Sequence, residues 1–414
     1  MKNVVVVYGG RSVEHDVSVL TGLHAALAAE KRCKVTRVYI TRENKMVLGD
    51  RNVDKYITIE GGDLSESGRK GTHLRSEKIA EWGKPVIFAN GRLYVRGVMG
   101  LRSIGKVDAV INCCHGGIGE GGELAAYFAV AGVPFTSCDI DSAKKLMSKT
   151  TTREILTSAD FDQPKYISIS KFDRETVEGL TNRVNAEIGY PVIIKPDKLG
   201  SSIGISVAND EGELLNAVAV ASGLCDAVII EEFINFDAEI NCAAFKYRGS
   251  IVPSRCESVQ GAPAGEKNES SCEDQNANRT AKYFDFNEKY MTSSSGFIKK
   301  RGNEDVDPIP AELSARIREL TKKAYALFGC CGVVRADFLV VTGASKEEKI
   351  YLNEINTVPG FLSYHMFLHA GIKFESMLDM KIDEAIRAHD KSRKQKIVTE
   401  FKSDVIRHNR ELVL

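Results

Sequence analysis

The residues best suited to chemistry sit in two apolar runs late in the chain, residues 333–339 and 350–356, each carrying one polar pair. Side chains alternate faces along a strand, so Arg335 and Asp337 project together from the first run, and Glu354 and Asn356 from the second. Thr342, Gly343 and Ser345 open the polar segment between them, the composition of a hairpin connection. A turn centred near Ser345 and Lys346 sets Asp337 opposite Glu354. Opposed side chains lie about 4.5–5.5 Å apart at Cβ, and two carboxylates that close repel unless one is protonated or a cation lies between them. The pattern therefore predicts a cation site on Asp337, Glu354 and Asn356. Its donors are hard oxygens, with no His or Cys, which favours Mg2+ over zinc. The plain alternative is a pair of solvated polar residues on a half-exposed sheet face, and the hairpin alone does not separate the two readings.

A chain of 414 residues has room for about three domains and ample core. Lys+Arg and Asp+Glu balance at 56 each, so no global field draws nucleic acid or an anionic membrane, and any phosphate binding must be local. With no signal-like h-region and no apolar run approaching 18 residues, the expected location is cytoplasmic. The 10 cysteines include no C-x-x-C, which reads as reduced, mostly buried thiols.

The elements that must position the hairpin begin with a buried strand at residues 4–8, the turn Gly9-Gly10-Arg11-Ser12, a helix to Ala29 and a strand at residues 33–40. This βαβ start lacks G-x-G-x-x-G, and its acids stand where a pyrophosphate would lie, so it is not a dinucleotide site. Residues 60–80 read as a polar surface excursion, and residues 107–113 as a buried strand running into a glycine-rich loop at His115, with a helix at residues 123–131. Ligands gather beyond the carboxyl ends of strands in such sheets, where Glu14 and His115 fall. A domain change is expected near residues 137–142, followed by one helix over residues 142–156 and a strand at residues 166–169. Residues 191–196 and 205–207 form a hairpin whose tip, residues 197–204, holds Gly200, Ser201, Ser202 and Gly204. Such a tip can present N–H groups to phosphate, with Lys195 supplying charge, although a plain glycine-rich hairpin has the same composition.

Residues 228–234 are a buried strand, and residues 239–245 continue its sheet. Residues 257–281 are almost devoid of large apolar side chains and read as a long mobile loop. A helix at residues 312–328, with Leu313, Ile317, Leu320, Ala324 and Leu327 in one stripe, packs on the first hairpin, and a further helix covers residues 374–388.

Taken together, the chain to about residue 385 resembles the ATP-grasp superfamily and, within it, the D-alanine:D-alanine ligase family. The resemblance rests on motifs in the family's order: residues 9–18, residues 115–122, Met147-Ser148-Lys149, Lys195-Pro196 with residues 200–204, residues 230–233 with Glu239, Glu288-Lys289-Tyr290, residues 335–338 and residues 353–360. It implies an α/β protein of ATP-grasp fold. An N-terminal doubly wound parallel α/β substrate-binding domain (1–137) would be followed by a central ATP-grasp subdomain (138–230) and a C-terminal catalytic domain (231–390), two α+β units that clasp ATP. The tail (391–414) has no assigned role.

The resemblance further implies that ATP joins two D-amino acids through an acyl phosphate, for peptidoglycan precursors. Lys149, Lys195, Ser201 and Ser202 would hold phosphates. Glu231, Glu232 and Phe233 would meet adenine, and Glu239 the ribose. Asp337, Glu354 and Asn356 would bind two Mg2+ ions, with Mn2+ as a substitute, to neutralise phosphate charge. Arg335 would stabilise the transferring phosphoryl group and, with the Gly360 N–H, the tetrahedral oxyanion. Glu14 would hold the first ammonium, with His115 near the reacting end, and Tyr290 would close a lid towards Ser201 and Glu14. Partners are small amino acids, neither nucleic acid nor membrane, with a homodimer by family precedent.

The chain departs from the pattern at Gly121, where the family's H-G-x-x-G-E-D-G has an acid, and at His365, where it has a serine that binds the second carboxylate. The loop at residues 257–281 is also longer than the family's. Lys289-Tyr290 favours an amine acceptor over a hydroxy acid and leaves D-serine open. Another carboxylate-amine ligase and a non-catalytic nucleotide-binding paralogue are the alternatives.

Overall fold

The computed structural model of the protein describes residues 1–49, 83–170, 176–259, 309–343 and 347–394. The valine run becomes β1 (Asn3–Gly9), followed by α1 (His15–Glu30), β2 (Lys34–Ile40) and the short β3 (Met46–Gly49). Three strands not foreseen from sequence, β4 (Val86–Ala89), β5 (Arg92–Gly97) and β6 (Gly100–Lys106), form a separate antiparallel sheet before β7 (Ala109–Asn112). The first sheet runs β3-β2-β1-β7, parallel except at its β3 edge. Val4 and Val6 face one core with Ala25, Ala26 and Ala29 of α1, while Val5 and Val7 face another with Leu124 and Phe128, so both faces of β1 are covered. This explains why its sequence is continuously apolar rather than alternating. After β7 come α2 (Gly117–Glu120) and α3 (Glu123–Val130).

The single helix expected over residues 142–156 is two helices, α4 (Ile140–Met147) and α5 (Lys149–Thr157). Ser148 adopts extended backbone and caps α5 by accepting from the Thr151 amide. A serine that bonds the backbone of the following turn offers the chain a break where no Gly or Pro announces one. The central sheet then collects β8 (Tyr166–Ser170), β9 (Val192–Pro196), β10 (Ser206–Ala208) and β11 (Ala227–Glu232) in the order β10-β9-β11-β8, all antiparallel, backed by α6 (Val177–Glu187) and α7 (Glu211–Leu224). β11 runs two residues past the expected 230/231 boundary.

β12 (Ala238–Tyr247) does not continue that sheet as expected. It opens a fourth, of order β13-β12-β14-β15, with β13 (Ser250–Val259), β14 (Val334–Thr342) and β15 (Glu348–Asn356). Phe236 and the exposed Asp237 lie between β11 and β12, and the Asp237 amide donates to Val340 O on β14, turning the chain onto the new sheet. β13 extends to Val259, so the first three residues of the expected 257–281 loop are strand, since Glu257 still has a partner, Asn241. The rest of that loop, Tyr290, residues 60–80 and the tail beyond Lys394 lie outside the described residues. α8 (Ala311–Leu327) buries Leu313, Ile317 and Ala324 against Ala336, Phe338 and Leu352 of the hairpin, as expected. Tyr325 completes its buried stripe instead of Leu327, which is exposed. A 3-10 turn, η1 (Gly360–Ser363), leads into α9 (Tyr364–Leu368) and α10 (Phe374–Lys394). Residues 391–394 thus continue a helix. No described helix is long and apolar enough to cross a membrane, and the nine described cysteines are free.

Candidate active site

The hairpin β14–β15 has the register its turn chemistry predicts at the chemical end: Asp337 pairs with Glu354, and Arg335 with Asn356. Near the turn the pairing is one residue out, and a bulge between Asp337 and Phe338 absorbs the difference, leaving Asn353 as the extra residue. Arg335 donates to both oxygens of Asp337, Nε and a terminal nitrogen each at 2.7 Å, and Asn356 Nδ2 adds a bond of 3.0 Å. The opposed carboxylates therefore do have a cation beside them, and it is this guanidinium. On the other side of Asp337 its β12 partner is Asn241, whose Oδ1 is buried without a hydrogen-bond partner. Directly opposed residues share a sheet face, so an orphaned hard oxygen stands next to Asp337. Two carboxylates and amide oxygens on one face fit a magnesium ion in donor type.

Lys195 leaves β9 and reaches across to this sheet. Its Nζ lies 2.7 Å from Glu231 Oε2 and 3.4 Å from Oδ1 of the bulged Asn353. Glu231 is fully buried, and its other oxygen accepts from Arg153 Nε at 2.5 Å. Arg153, on α5, in turn donates to Leu352 O at 2.7 Å, so one buried arginine ties the central sheet to the bulge. Burial pushes the Glu231 carboxyl up, but Arg153 and Lys195 more than offset this and hold it at about 2. Lys149 Nζ donates to Leu199 O at 2.6 Å and Pro196 O at 3.3 Å, fixing the start of the tip after β9. Burial lowers its pKa, with Lys195 adding to the effect and Glu354, Asp197 and Glu231 opposing it. Those four groups are thus its electrostatic neighbours. Asp197 ties the tip to the break between α4 and α5, accepting from the Thr150 amide at 2.8 Å and Ser148 Oγ at 3.1 Å.

The tip itself is wound left-handed at Ser201 and Ser202, with φ of 55° and 57°, a backbone that costs non-glycine residues about 1–3 kcal/mol each. Ser201 Oγ is buried without a partner. Across from it stands Glu14, at the N-terminus of α1. A Cβ built on Gly200 would lie 3.9 Å from Glu14 Oε2, and one on Gly116 only 2.9 Å, so Gly116, at φ +60°, is needed for the loop after β7 to close on Glu14. His115 beside it is buried, bonded through Nδ1 to Val358 O at 2.5 Å and through Nε2 to Thr21 Oγ1 at 2.8 Å, with Glu120 Oε1 3.9 Å from Nδ1. Burial raises the Glu120 carboxyl, His115 opposes it, and Glu14 adds to it. Gly360 follows β15 after the intervening Thr357-Val358-Pro359 and starts η1, where Phe361, Leu362 and Ser363 all have φ near +50°. The structure thus gathers Glu14, His115, Ser201, Ser202, Lys149, Lys195, Arg335, Asp337, Glu354, Asn356 and Gly360 around the meeting of the sheets that contain β1, β9 and β14.

The family model described as "D-ala D-ala ligase C-terminus" matches residues 155–383, and "D-ala D-ala ligase N-terminus" matches residues 3–138. The chain belongs to the D-alanine–D-alanine ligase family. A D-alanine–D-alanine ligase of Thermosipho africanus is 29% identical over 399 residues, 96% of each chain. Among solved structures, the D-alanine-D-alanine ligase from Coxiella burnetii superposes with a TM-score of 0.70 at 20% identity, covering 95% of this chain and 98% of that one. The VanG D-Ala:D-Ser ligase from Enterococcus faecalis does so at 0.67 and 25% identity, covering 93% and 99%. The fold is the ATP-grasp fold of this family.

Against the family pattern, several expected residues acquire partners that sequence reasoning did not supply. Glu231 spends both oxygens on cations, and the Phe233 amide donates to Pro191 O at 3.2 Å. Glu232, at the end of β11, accepts from the Lys165 amide at 3.3 Å, while Glu239 lies near the start of β12. His365 Nε2 is 3.0 Å from Glu257 Oε2 on β13, so the histidine that replaces the family's serine comes with its own carboxylate. At Gly121 a Cβ would meet Glu123 Oε2 at 2.5 Å: the next helix's acid occupies the space of the missing side chain. Arg153, Thr21, Asn241 and Glu257 were missed. A charged residue on the buried face of a short helix, as Arg153 is among Thr152 and Leu156, was the one available signal.

Proposed function

We propose that the protein joins two D-amino acids, D-alanine with D-alanine, at the expense of ATP, for peptidoglycan precursors in the cytoplasm. The observation that carries this reading is the approach of Lys149, at the start of α5, and Lys195, on β9, to Glu354 and Asn353 on β15, with Glu14 close to Gly200 in the tip after β9. ATP between the sheets would lay its phosphates along the two lysines and the left-handed backbone of Ser201 and Ser202. Glu232, Phe233 and Glu239 line the end for adenine and ribose. Glu231 holds Lys195 in place rather than reading the base. Asp337, Glu354 and Asn356, with Asn241 Oδ1 beside them, would hold Mg2+, which supplies neutralisation of phosphate charge when bound.

Glu14 would take the ammonium of the first D-alanine and aim its carboxylate at the γ-phosphate. Arg335 stabilises the charge on the transferring group, and the Gly360 N–H receives the oxyanion formed when the second amine attacks the acyl phosphate. Water must be kept out, because an acyl phosphate hydrolyses. The test is phosphate release dependent on D-alanine, with the product identified by mass. Absence of any dipeptide with D-alanine, D-serine or D-lactate as acceptor would refute the reading. The His365–Glu257 pair favours one variant of it, an acceptor other than D-alanine, and an acceptor screen with D-alanine as donor decides. A homodimer belongs to the same proposal and is checked by sedimentation.

A further inference from the structure

α1 carries, two turns beyond Glu14, a second set of contacts, these to the turn around Gly360. Residues 14, 18 and 21 fall on one helical face. Thr21 is fully buried, and its hydroxyl has two partners: it accepts from the Phe361 amide at 3.1 Å and meets His115 Nε2 at 2.8 Å. The protons along this chain can be assigned. An amide only donates, so Thr21 Oγ1 accepts from Phe361; a carbonyl only accepts, so His115 Nδ1 donates to Val358 O, which leaves Nε2 of the neutral ring an acceptor and turns the Thr21 hydrogen towards it. His115 Nε2 is then the acceptor, and Nδ1 carries the ring proton, which is donated to Val358 O at 2.5 Å with Glu120 Oε1 3.9 Å away on the same side. The result is a closed loop of hydrogen bonds that begins and ends on the Val358–Phe361 segment and brackets Gly360. His24, one turn further along α1, packs edge-on to Phe361 at 5.4 Å between ring centroids.

The bracketed segment needs holding. Phe361, Leu362 and Ser363 are three successive non-glycine residues in the left-handed region, a conformation that persists only where its surroundings over-determine it. Ser363 Oγ is buried without a hydrogen-bond partner, so that side chain supplies no restraint of its own.

We propose that Thr21 is a positioning residue: acting through His115 and the Phe361 amide, its hydroxyl clamps the turn around Gly360 and fixes the aim of the Gly360 N–H. The functional half of this statement rests on the ligase reading, and the clamp itself does not. Because His115 is engaged at both nitrogens, its place is in the clamp and not as a free base beside the substrate.

Two measurements test it. In protein labelled with 15N-histidine, the His115 signal among the 8 histidines is assigned by its loss in His115→Asn, and its tautomer is read without substrate. The Nδ1–H form is expected, and the Nε2–H form overturns the proposal whatever the protein catalyses. In the kinetic arm, Thr21→Val keeps the shape and removes the hydroxyl. It should lower kcat on the order of 10–100-fold with the KM for ATP unchanged, because misaim by a fraction of an ångström acts on the transition state. Thr21→Ser should restore kcat to within about 3-fold, which a purely packing role for the threonine methyl would not do. A Thr21→Val enzyme within about 3-fold of the parent overturns the proposal, as does a Ser variant as impaired as Val. If Val does not fold, the serine variant and the tautomer decide. A parent protein with no ligase turnover, but with the Nδ1–H tautomer, refutes the function and leaves the clamp standing.

Discussion

Glu231→Gln keeps a side chain's shape while removing a charge on which the meeting of two sheets depends. In the native protein Glu231 lies between Arg153 and Lys195, at 2.5 and 2.7 Å, and all three are buried. Its carboxyl sits at about 2 against an ordinary 4.5: burial pushes it up, and the two cations more than offset burial. That difference corresponds to about 3 kcal/mol of stability at neutral pH. The folded value lies below the unfolded one, so the contribution is whole above about pH 4.5 and is lost as pH falls towards 2. Glutamine leaves two buried cations facing each other with no anion, and breaking a buried pair costs roughly 3–5 kcal/mol. For a unit of about 150–250 residues, each kcal/mol moves the melting midpoint by about 2–4 °C, so a drop of about 6–20 °C is expected at pH 7. Calorimetry of the full chain is the assay, because it separates units that melt apart. The gap between parent and variant should narrow at pH 3, and the KM for ATP should rise because Lys195 has lost its anchor. A midpoint within about 3 °C of the parent at pH 7, or a gap equal at the two pH values, would show that the triad is not what holds the sheets together.

Two further outcomes follow from the site. Glu354→Gln removes one of the opposed carboxylates, and turnover should collapse while ATP affinity, measured by calorimetric titration, partly survives; near-normal turnover contradicts the assignment. His365→Ser restores the residue type usual in the family and releases Glu257 from its 3.0 Å contact. It should change the KM for the acceptor several-fold and shift acceptor preference, with the KM for ATP constant, in an initial-rate comparison of D-alanine and D-serine.

What was legible in the sequence was whatever a local pattern determines. The β14–β15 register follows from alternation and the turn, and even its bulge leaves Asp337 opposite Glu354. The hairpin between β9 and β10 follows from glycines and serines between two apolar runs. What stayed hidden needs a partner from far along the chain. Arg153 meets Glu231 and Leu352 O across separations of 78 and 199 residues, and Thr21 meets Phe361 across 340. No periodicity encodes such pairings, because each side chain is locally ordinary and acquires meaning only when a buried charge or amide must be satisfied. The break at Ser148 is hidden for a related reason: its competing partner, Asp197, comes from the tip after β9, 49 residues on. The strand from residue 239 was assigned to the wrong sheet because strand propensity carries no information about which edge a strand joins.

Repulsion between Asp337 and Glu354 also sets how their two cationic partners compete. Asp337 and Glu354 require a cation, and Arg335 provides one through two bonds of 2.7 Å to Asp337. The same guanidinium is the group proposed to stabilise a transferring phosphoryl, and it cannot serve both partners fully. A divalent ion at Asp337 would free it, so metal binding and the readiness of Arg335 are coupled. A charge-assisted fork of this kind contributes about 1.5–3 kcal/mol, which corresponds to about 10–100-fold in competition for the carboxylate. Arg335→Gln should therefore bind Mn2+ without nucleotide that much more tightly than the parent, read by paramagnetic resonance of free Mn2+, even as its turnover falls. If the guanidinium only braces the strand, removing it will loosen the site, and Mn2+ affinity will stay level or drop. That result would break the coupling between arginine and metal, and with it the claim that the carboxylate pair is a cation site.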